Sequence, residues 1–161
     1  MNKGKQKLSL ICDGVEVNKI ESFVDSVCEE YNVYNNYFGN MVISLVSIHD
    51  ECRRRKGDEA KMDLEFFSDS KGLNFRVDPH NEKMIDEAEN ALKDENILLS
   101  DNNFNWLFLI KKLCDELYIE RSNFILEYDV ASINRDLAAS RVSSLRAYFK
   151  GEKIEDNYKY N

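Results

Sequence analysis

The residues most able to do chemistry lie close together in the first third of the chain. His49 and Cys52 are one helical turn apart and could provide two ligands to a metal ion. No further histidine or cysteine stands near them, and His80 is the only other histidine, so a structural role is favoured over a metal site. Asp50 and Glu51 could form a carboxylate pair for acid–base work, but adjacent helical residues face different directions.

A run of four basic residues follows directly, from Arg53 to Lys56. Such a run could bind phosphate or an acidic partner protein. Cations at the end of a helix also complement the helix dipole, so the sequence alone leaves both interpretations open. The acidic run from Glu82 to Glu95 is interpreted as the solvated face of another helix.

Composition sets the class of protein. The 161 residues are 43% hydrophobic and 32% charged, which is typical of one globular domain, and the net charge of −8 argues against nucleic-acid or anionic membrane partners. No apolar run approaches the ~20 residues of a membrane span, and the first residues lack the apolar core of a signal peptide, so a cytoplasmic location is expected. The four scattered cysteines are expected to be buried reduced thiols.

The elements that would position these residues follow from hydrophobic periodicity. A strand at 7–12 precedes a helix at 18–31, which opens on the capping-box pattern Asn18-x-x-Glu21, and a helix from Phe38 that ends at Gly57. The remaining predicted elements are strands at 62–66, 73–77, 118–119 and 124–130 and helices at 81–93, 104–117 and 133–149. Asn81 can cap the helix at 81–93, and the helix at 104–117 is apolar on most sides and should lie deep in the core. This order predicts an α/β fold, a two-layer sandwich in which helices cover one face of a mixed β-sheet.

The last predicted helix is an addition to that sandwich. Its apolar stripe consists of Ala138, Val142, Leu145 and Phe149. Residues 132–161 hold six basic and four acidic residues, a net charge of +2, which leaves −10 for residues 1–131. We therefore divide the chain into a domain at 1–131 and a C-terminal segment at 132–161. The helix either packs on its own domain or binds a regulator or a second copy of the chain.

Three segments, at 15–24, 38–40 and 107–115, resemble the bacterial anti-sigma-factor serine kinases. These kinases belong to the GHKL, or histidine-kinase-like, ATPase superfamily. The resemblance extends over residues 7–130 in the order and spacing of the elements. It implies a Bergerat-like sandwich with a nucleotide site between its helices and its sheet.

The resemblance also implies where the functional residues would stand. In the family, the second helix carries a Glu that activates the attacking hydroxyl and, one turn later, an Asn that holds magnesium. The matching positions are Ser47 and Glu51. Asp78 matches an Asp that contacts the adenine amino group, while Phe104 and Trp106 match two glycines of the phosphate-binding lid.

These replacements predict that catalysis has been lost. Ser47 has no carboxylate and cannot act as a general base, and bulky lid side chains would block the approach of backbone N–H groups to phosphates. The vestigial cofactor-binding candidates are then Glu51, Asp78 and Trp106, with no catalytic residue, no metal and no cofactor expected.

The resulting hypothesis is a non-catalytic regulatory protein, a pseudokinase that acts by protein–protein contact. The resemblance implies a sigma factor, a partner-switching regulator or a paralogous kinase as the partner, with a homodimer as a further arrangement. The alternative is a divergent ATP-binding serine kinase or ATPase that holds Mg-ATP through Asp78 and Glu51. An unrelated α/β binding module is a third interpretation.

Overall fold

Alternating apolar residues build a five-stranded β-sheet in the computed structural model, which describes residues 5–33 and 37–130. The strands are β1 (Lys5–Ile11), β2 (Lys61–Ser68), β3 (Leu73–Asp78), β4 (Glu116–Glu120) and β5 (Asn123–Tyr128). Their order in the sheet is β1-β2-β3-β5-β4, and every neighbouring pair is antiparallel.

The prediction of a mixed sheet is therefore wrong for the described strands. Between β1 and β2 the chain passes through two helices that pack on each other. A second helical pass returns the chain to the end of the sheet where β1 finished, so β2 runs in the opposite direction. Hydrophobic periodicity carries no information on strand direction, and this is why the sequence did not reveal it.

The helices are α1 (Asn18–Tyr31), α2 (Phe38–Lys56), α3 (Glu82–Lys93), α4 (Glu95–Ser100) and α5 (Asn105–Leu113). Short 3₁₀ turns at Gly57–Glu59 and Asn102–Phe104 follow α2 and precede α5. The short α4 was not predicted. The helix predicted at 104–117 ends at Leu113, and the helix predicted at 133–149 lies outside the described residues.

The capping box predicted at the start of α1 is also absent. Asn18 lies inside the helix, and Val17 occupies the N-cap position without a side-chain hydrogen bond. The chain before α1 is fixed instead by Asp13, whose carboxylate accepts hydrogen bonds from the amides of Val15 (3.0 Å) and Glu16 (2.6 Å). By contrast, the cap predicted for α3 is confirmed.

The core lies between the helices and one face of the sheet. Along β2 the buried side chains are Met62, Leu64 and Phe66, and they alternate with more exposed polar ones. The same core includes Val24 of α1 and Leu45 of α2. The α/β class is thus confirmed, and the alternation fits two layers.

The four cysteines are buried and unpaired, as expected for small apolar side chains. In the part of the chain that the structure describes, no helix combines the length and apolarity needed to cross a lipid bilayer.

One turn of the sheet depends on a glycine. Between β2 and β3, the Asp69 carboxylate accepts hydrogen bonds from the amides of Lys71 (2.9 Å) and Gly72 (3.0 Å). The turn packs against the end of β5 so closely that a Cβ on Gly72 would lie 2.0 Å from the carbonyl oxygen of Tyr128. Only glycine fits at this position without a shift of the backbone.

Candidate functional site

Helix α2 places Ser47 and Glu51 on successive turns of one face. The Ser47 hydroxyl donates a hydrogen bond to the carbonyl of Ile43, 2.7 Å away in the preceding turn. This bond satisfies the serine within its own helix. A serine hydroxyl provides no group that would accept a proton from a substrate near neutral pH.

Glu51 is a buried carboxylate, with 5% of its side chain exposed, and two guanidinium groups hold it. It accepts a hydrogen bond from Nε of Arg54 at 2.9 Å, a second from the same guanidinium, and one from Nε of Arg55 at 2.6 Å. The carboxylate raises the pKa of Arg54 through these bonds and through its charge. The charge of Glu51 is thus compensated by two arginines of the same helix.

The same network joins α2 to α3. Nη1 of Arg55 lies 2.8 Å from the carboxylate of Glu87, and only 13% of the Arg55 side chain is exposed. Because Arg55 bridges Glu51 and Glu87, the end of α2 and the first half of α3 are fixed relative to each other. Glu51 therefore acts as a structural anchor in this geometry.

Asp78 lies at the end of β3, directly across from Asp63 of β2. Asp63 alternates with buried Met62 and Leu64, so both carboxylates lie on the sheet face opposite the core. His80 lies between the two carboxylates, with Nε2 2.6 Å from Asp63 and Nδ1 3.6 Å from Asp78.

Asp63, Asp78 and His80 together could hold a metal ion. Within residues 5–33 and 37–130 they are the one group of three or more His, Cys, Asp or Glu side chains whose potential ligand atoms all lie within 4.8 Å of one another. Interactions with Ser9 and His80 lower the pKa of Asp63. The His80 ring contacts both of these carboxylates, which lie opposite each other on adjacent strands. These mutual contacts link the three side chains in one polar network.

Trp106 lies at the start of α5 and packs edge-on against Phe124 of β5, with ring centroids 5.9 Å apart and an angle of 88° between the planes. Its indole N–H donates to the carbonyl of Asn103 at 3.0 Å. The ring thus fixes α5 on the sheet. The prediction that α5 is buried on most sides is wrong, because Leu109 is an exposed side chain.

His49 and Cys52 both make contacts within the fold. His49 is buried, its Nδ1 lies 2.9 Å from the Asp50 carboxylate, and its Nε2 lies 3.2 Å from the carbonyl oxygen of Asp13. The Cys52 thiol contacts the Met84 sulfur at 3.9 Å. Asp50 is exposed whereas the adjacent Glu51 is buried, so the two do not form a carboxylate pair.

A cleft of about 650 Å³ opens where the end of α2, the start of α3 and the turn before α5 meet. Four basic side chains contribute to its walls, against two acidic ones. The lining residues are Arg54, Arg55, Lys56, Asn81, Lys83, Glu87, Asp101, Asn103 and Phe104. We refer to this feature as the cationic cleft.

The cationic cleft does not bring the predicted site residues together. Ser47, Asp78 and Trp106 are not among its lining residues, and Glu51 acts on it only through the two arginines that it holds. The basic run of α2 was the one signal for the cleft in the sequence. Lys83 carried no such signal, because its position depends on how α3 packs.

Neither a scan against models of known protein families nor a search of curated proteins returns a match to this chain. The chemistry of the residues above, together with the resemblance read from the sequence, is therefore the basis for a functional proposal.

Proposed function

We propose that this protein is a non-catalytic regulatory protein that works by protein–protein contact, resembling an anti-sigma factor or partner-switching component without a working nucleotide site. The observation that carries the proposal is the set of contacts that Ser47 and Glu51 make on α2. Where the resemblance expects a general base, Ser47 is bonded to its own helix, and where it expects a metal ligand, Glu51 is held by Arg54 and Arg55.

The other two expected positions support the same proposal. The carboxylate of Asp78, which would bind adenine, contacts His80 on the sheet face away from the core. Trp106, which stands where a lid glycine is expected, packs on Phe124. A nucleotide needs these groups to converge on one cavity, and they do not converge on the cationic cleft.

The partner class follows from the resemblance: a sigma factor, a regulator of a partner-switching system or a paralogous kinase. Binding to such a partner needs a stable surface and no chemistry. A regulatory role of this kind is compatible with a fold in which Ser47, Glu51 and Asp78 are engaged in internal contacts.

One feature favours the alternative of a divergent ATP-binding kinase or ATPase. The cationic cleft offers four basic side chains, and basic side chains also bind phosphate groups. Under this alternative, Mg-ATP would have to displace Arg54 or Arg55 from Glu51 before that carboxylate could reach the metal ion.

Thermal unfolding with millimolar Mg-ATP or Mg-ADP tests the proposal. A ligand at ~100 times its Kd stabilises the folded state by about 2.7 kcal/mol, which for a chain of this size raises Tm by about 5–10 °C. We expect no shift with either nucleotide and no transfer of phosphate from ATP to a serine of a candidate regulator. A shift that Glu51→Gln abolishes would overturn the proposal in favour of the alternative.

A further inference from the structure

We propose that the cationic cleft is a docking site for an acidic segment of the partner protein. This inference rests on the proposed function, because it names the chemistry of the partner and the surface that receives it. It assigns a role to the basic run of α2, for which the sequence left two interpretations open.

Two ammonium groups of the cleft carry charge that no carboxylate of the described residues neutralises. Nζ of Lys56 donates to the backbone carbonyl of His80 at 2.9 Å, a neutral acceptor. Lys83 has neither an ion pair nor a hydrogen bond to any side chain in the described ranges and is exposed. Within the described residues neither ammonium group is paired with a carboxylate, so each can receive one from a ligand.

The two arginines add preorganised donors. Arg54 remains 59% exposed although it is bonded to Glu51, so part of its guanidinium still faces solvent. Arg55 is held on two sides, by Glu51 and Glu87. Because these contacts already restrict the guanidinium groups, a ligand that meets them pays less conformational entropy on binding.

The charge of the cleft contrasts with the rest of the domain. Its lining carries a net +2, from four basic and two acidic residues, or +1 once the buried Glu51 that pairs with the two arginines is counted, whereas residues 1–131 as a whole carry −10. An acidic ligand is thus repelled by most of the surface and attracted here, which gives orientation as well as affinity. The segment 132–161 is net positive and does not complement the cleft.

The lining favours spaced carboxylates over a compact polyphosphate. Glu87 and Asp101 lie in the walls and would repel a dense cluster of phosphate charge. None of the lining residues is a glycine, whereas phosphate-binding loops use glycines so that backbone N–H groups can approach the oxygens. Carboxylates spaced along a peptide can instead pair separately with Lys56 and Lys83.

Fluorescence anisotropy of a fluorescein-labelled peptide of ten glutamates, titrated with the 161-residue chain at about 50 mM salt, tests the inference. The test variant is Lys56→Gln with Lys83→Gln. The control, Lys7→Gln with Lys93→Gln, removes the same charge elsewhere. Lys7 lies on β1, and Lys93 is ten residues beyond Lys83 on α3, a helical rise of about 15 Å.

We expect the test variant to weaken peptide binding about fivefold to tenfold and the control by less than about twofold. Binding should also weaken in about 200 mM salt, because exposed charge pairs are screened. No detectable binding, or equal losses in the two variants, would refute the inference. Displacement of the peptide by Mg-ATP or inorganic phosphate at lower concentrations than by free glutamate peptide would also refute it.

The outcomes separate this inference from the proposed function. If the peptide result refutes the inference and neither nucleotide shifts Tm, the cationic cleft is not the docking site, but the proposed protein-binding role still stands. A nucleotide-induced shift removes the proposed function itself. Sedimentation at increasing protein concentration tests whether a second copy of the chain occupies the cationic cleft. If the wild type forms a dimer and the test variant does not, the inference that a separate partner protein binds there is overturned.

Discussion

The replacement Glu51→Gln gives the sharpest test of the network at the end of α2. The wild-type carboxylate receives three hydrogen bonds from two arginines. Glutamine keeps the size of the side chain but has one acceptor oxygen, and its amide group would point N–H bonds at a guanidinium that also only donates. At least one side of the network must therefore break.

The magnitude follows from the burial of the partners. Hydrogen bonds to charged groups contribute about 1.5–3 kcal/mol each. Arg54 is more than half exposed and can be hydrated again, whereas Arg55 is largely buried and keeps only Glu87. We expect the free energy of unfolding to fall by about 2–3 kcal/mol, a little below the ~3–5 kcal/mol typical of a broken buried ion pair.

Urea unfolding at pH 7, followed by circular dichroism, measures this change. The matched control is Glu89→Gln on α3, whose carboxylate is half-exposed and lies 3.4 Å from Lys93. An exposed pair of this kind is worth at most about 0.5 kcal/mol. If the two variants lose equal stability, the buried network does not hold α2 and α3 together, and the structural role assigned to Glu51 is refuted.

Gly72→Ala should destabilise the fold by about 1–3 kcal/mol, since its methyl group would overlap the carbonyl oxygen of Tyr128 at the end of β5. Gly39→Ala adds a methyl group in open space on α2 and should stabilise the fold by about 0.5–1 kcal/mol. The opposite order of stabilities in urea unfolding would contradict the packing of the turn. A thiol reagent at pH 8 should modify Cys28 and Cys114 only after unfolding, because burial raises the pKa of the first thiol to about 11 and of the second to about 12; rapid labelling of the native protein would contradict this. The lowered pKa of Asp63 means that its ionised form stabilises the fold above pH ~4, and that this contribution is lost as the pH falls through the lower value of the folded state. Asp63→Asn should therefore reduce the loss of stability between pH 7 and pH 3. An unchanged pH dependence would count against a stabilising role for the contacts of Asp63 with Ser9 and His80.

The sequence predicted the elements whose causes are local. Asn81 caps α3 as expected, its side chain accepting the amide of Met84 at 3.1 Å, since a cap depends on residues three apart. The alternation of Met62, Leu64 and Phe66 likewise placed β2 and its buried face. In these segments, propensity, pattern and tertiary packing all favour one structure.

The failures occurred where distant contacts decided the outcome. The apolar run of α5 continues in sequence to Leu117, but the chain leaves the helix because the Asp115 amide donates to Glu127 of β5 at 2.8 Å. The Asp115 carboxylate then accepts the amide of Asp129 at 2.6 Å. The second of these bonds spans 14 residues, so both lie beyond the spacing of three to four residues on which helical periodicity depends.

The candidate site divides in the same way. The sequence identified Ser47 and Glu51 as neighbours on one helical face, but it could not show that Arg54 and Arg55 would fold back onto Glu51 and occupy it. The cationic cleft combines side chains from three segments, at 54–56, 81–87 and 101–104. The cleft exists because of how the helices pack on one another. Periodicity identifies the apolar face of each helix but not the positions of the helices relative to one another.

The position of β5 has a consequence for how the protein is made. This strand, at residues 123–128, is inserted between β3 and β4, so the interior of the sheet is completed by one of the last described segments to be synthesised. Until β5 emerges from the ribosome, β3 has one unpaired edge, and the Phe75 ring lacks its edge-on contact with Tyr128 of β5. A nascent chain that stalls before residue 123 would therefore expose an unpaired strand edge, which favours pairing with another chain and aggregation.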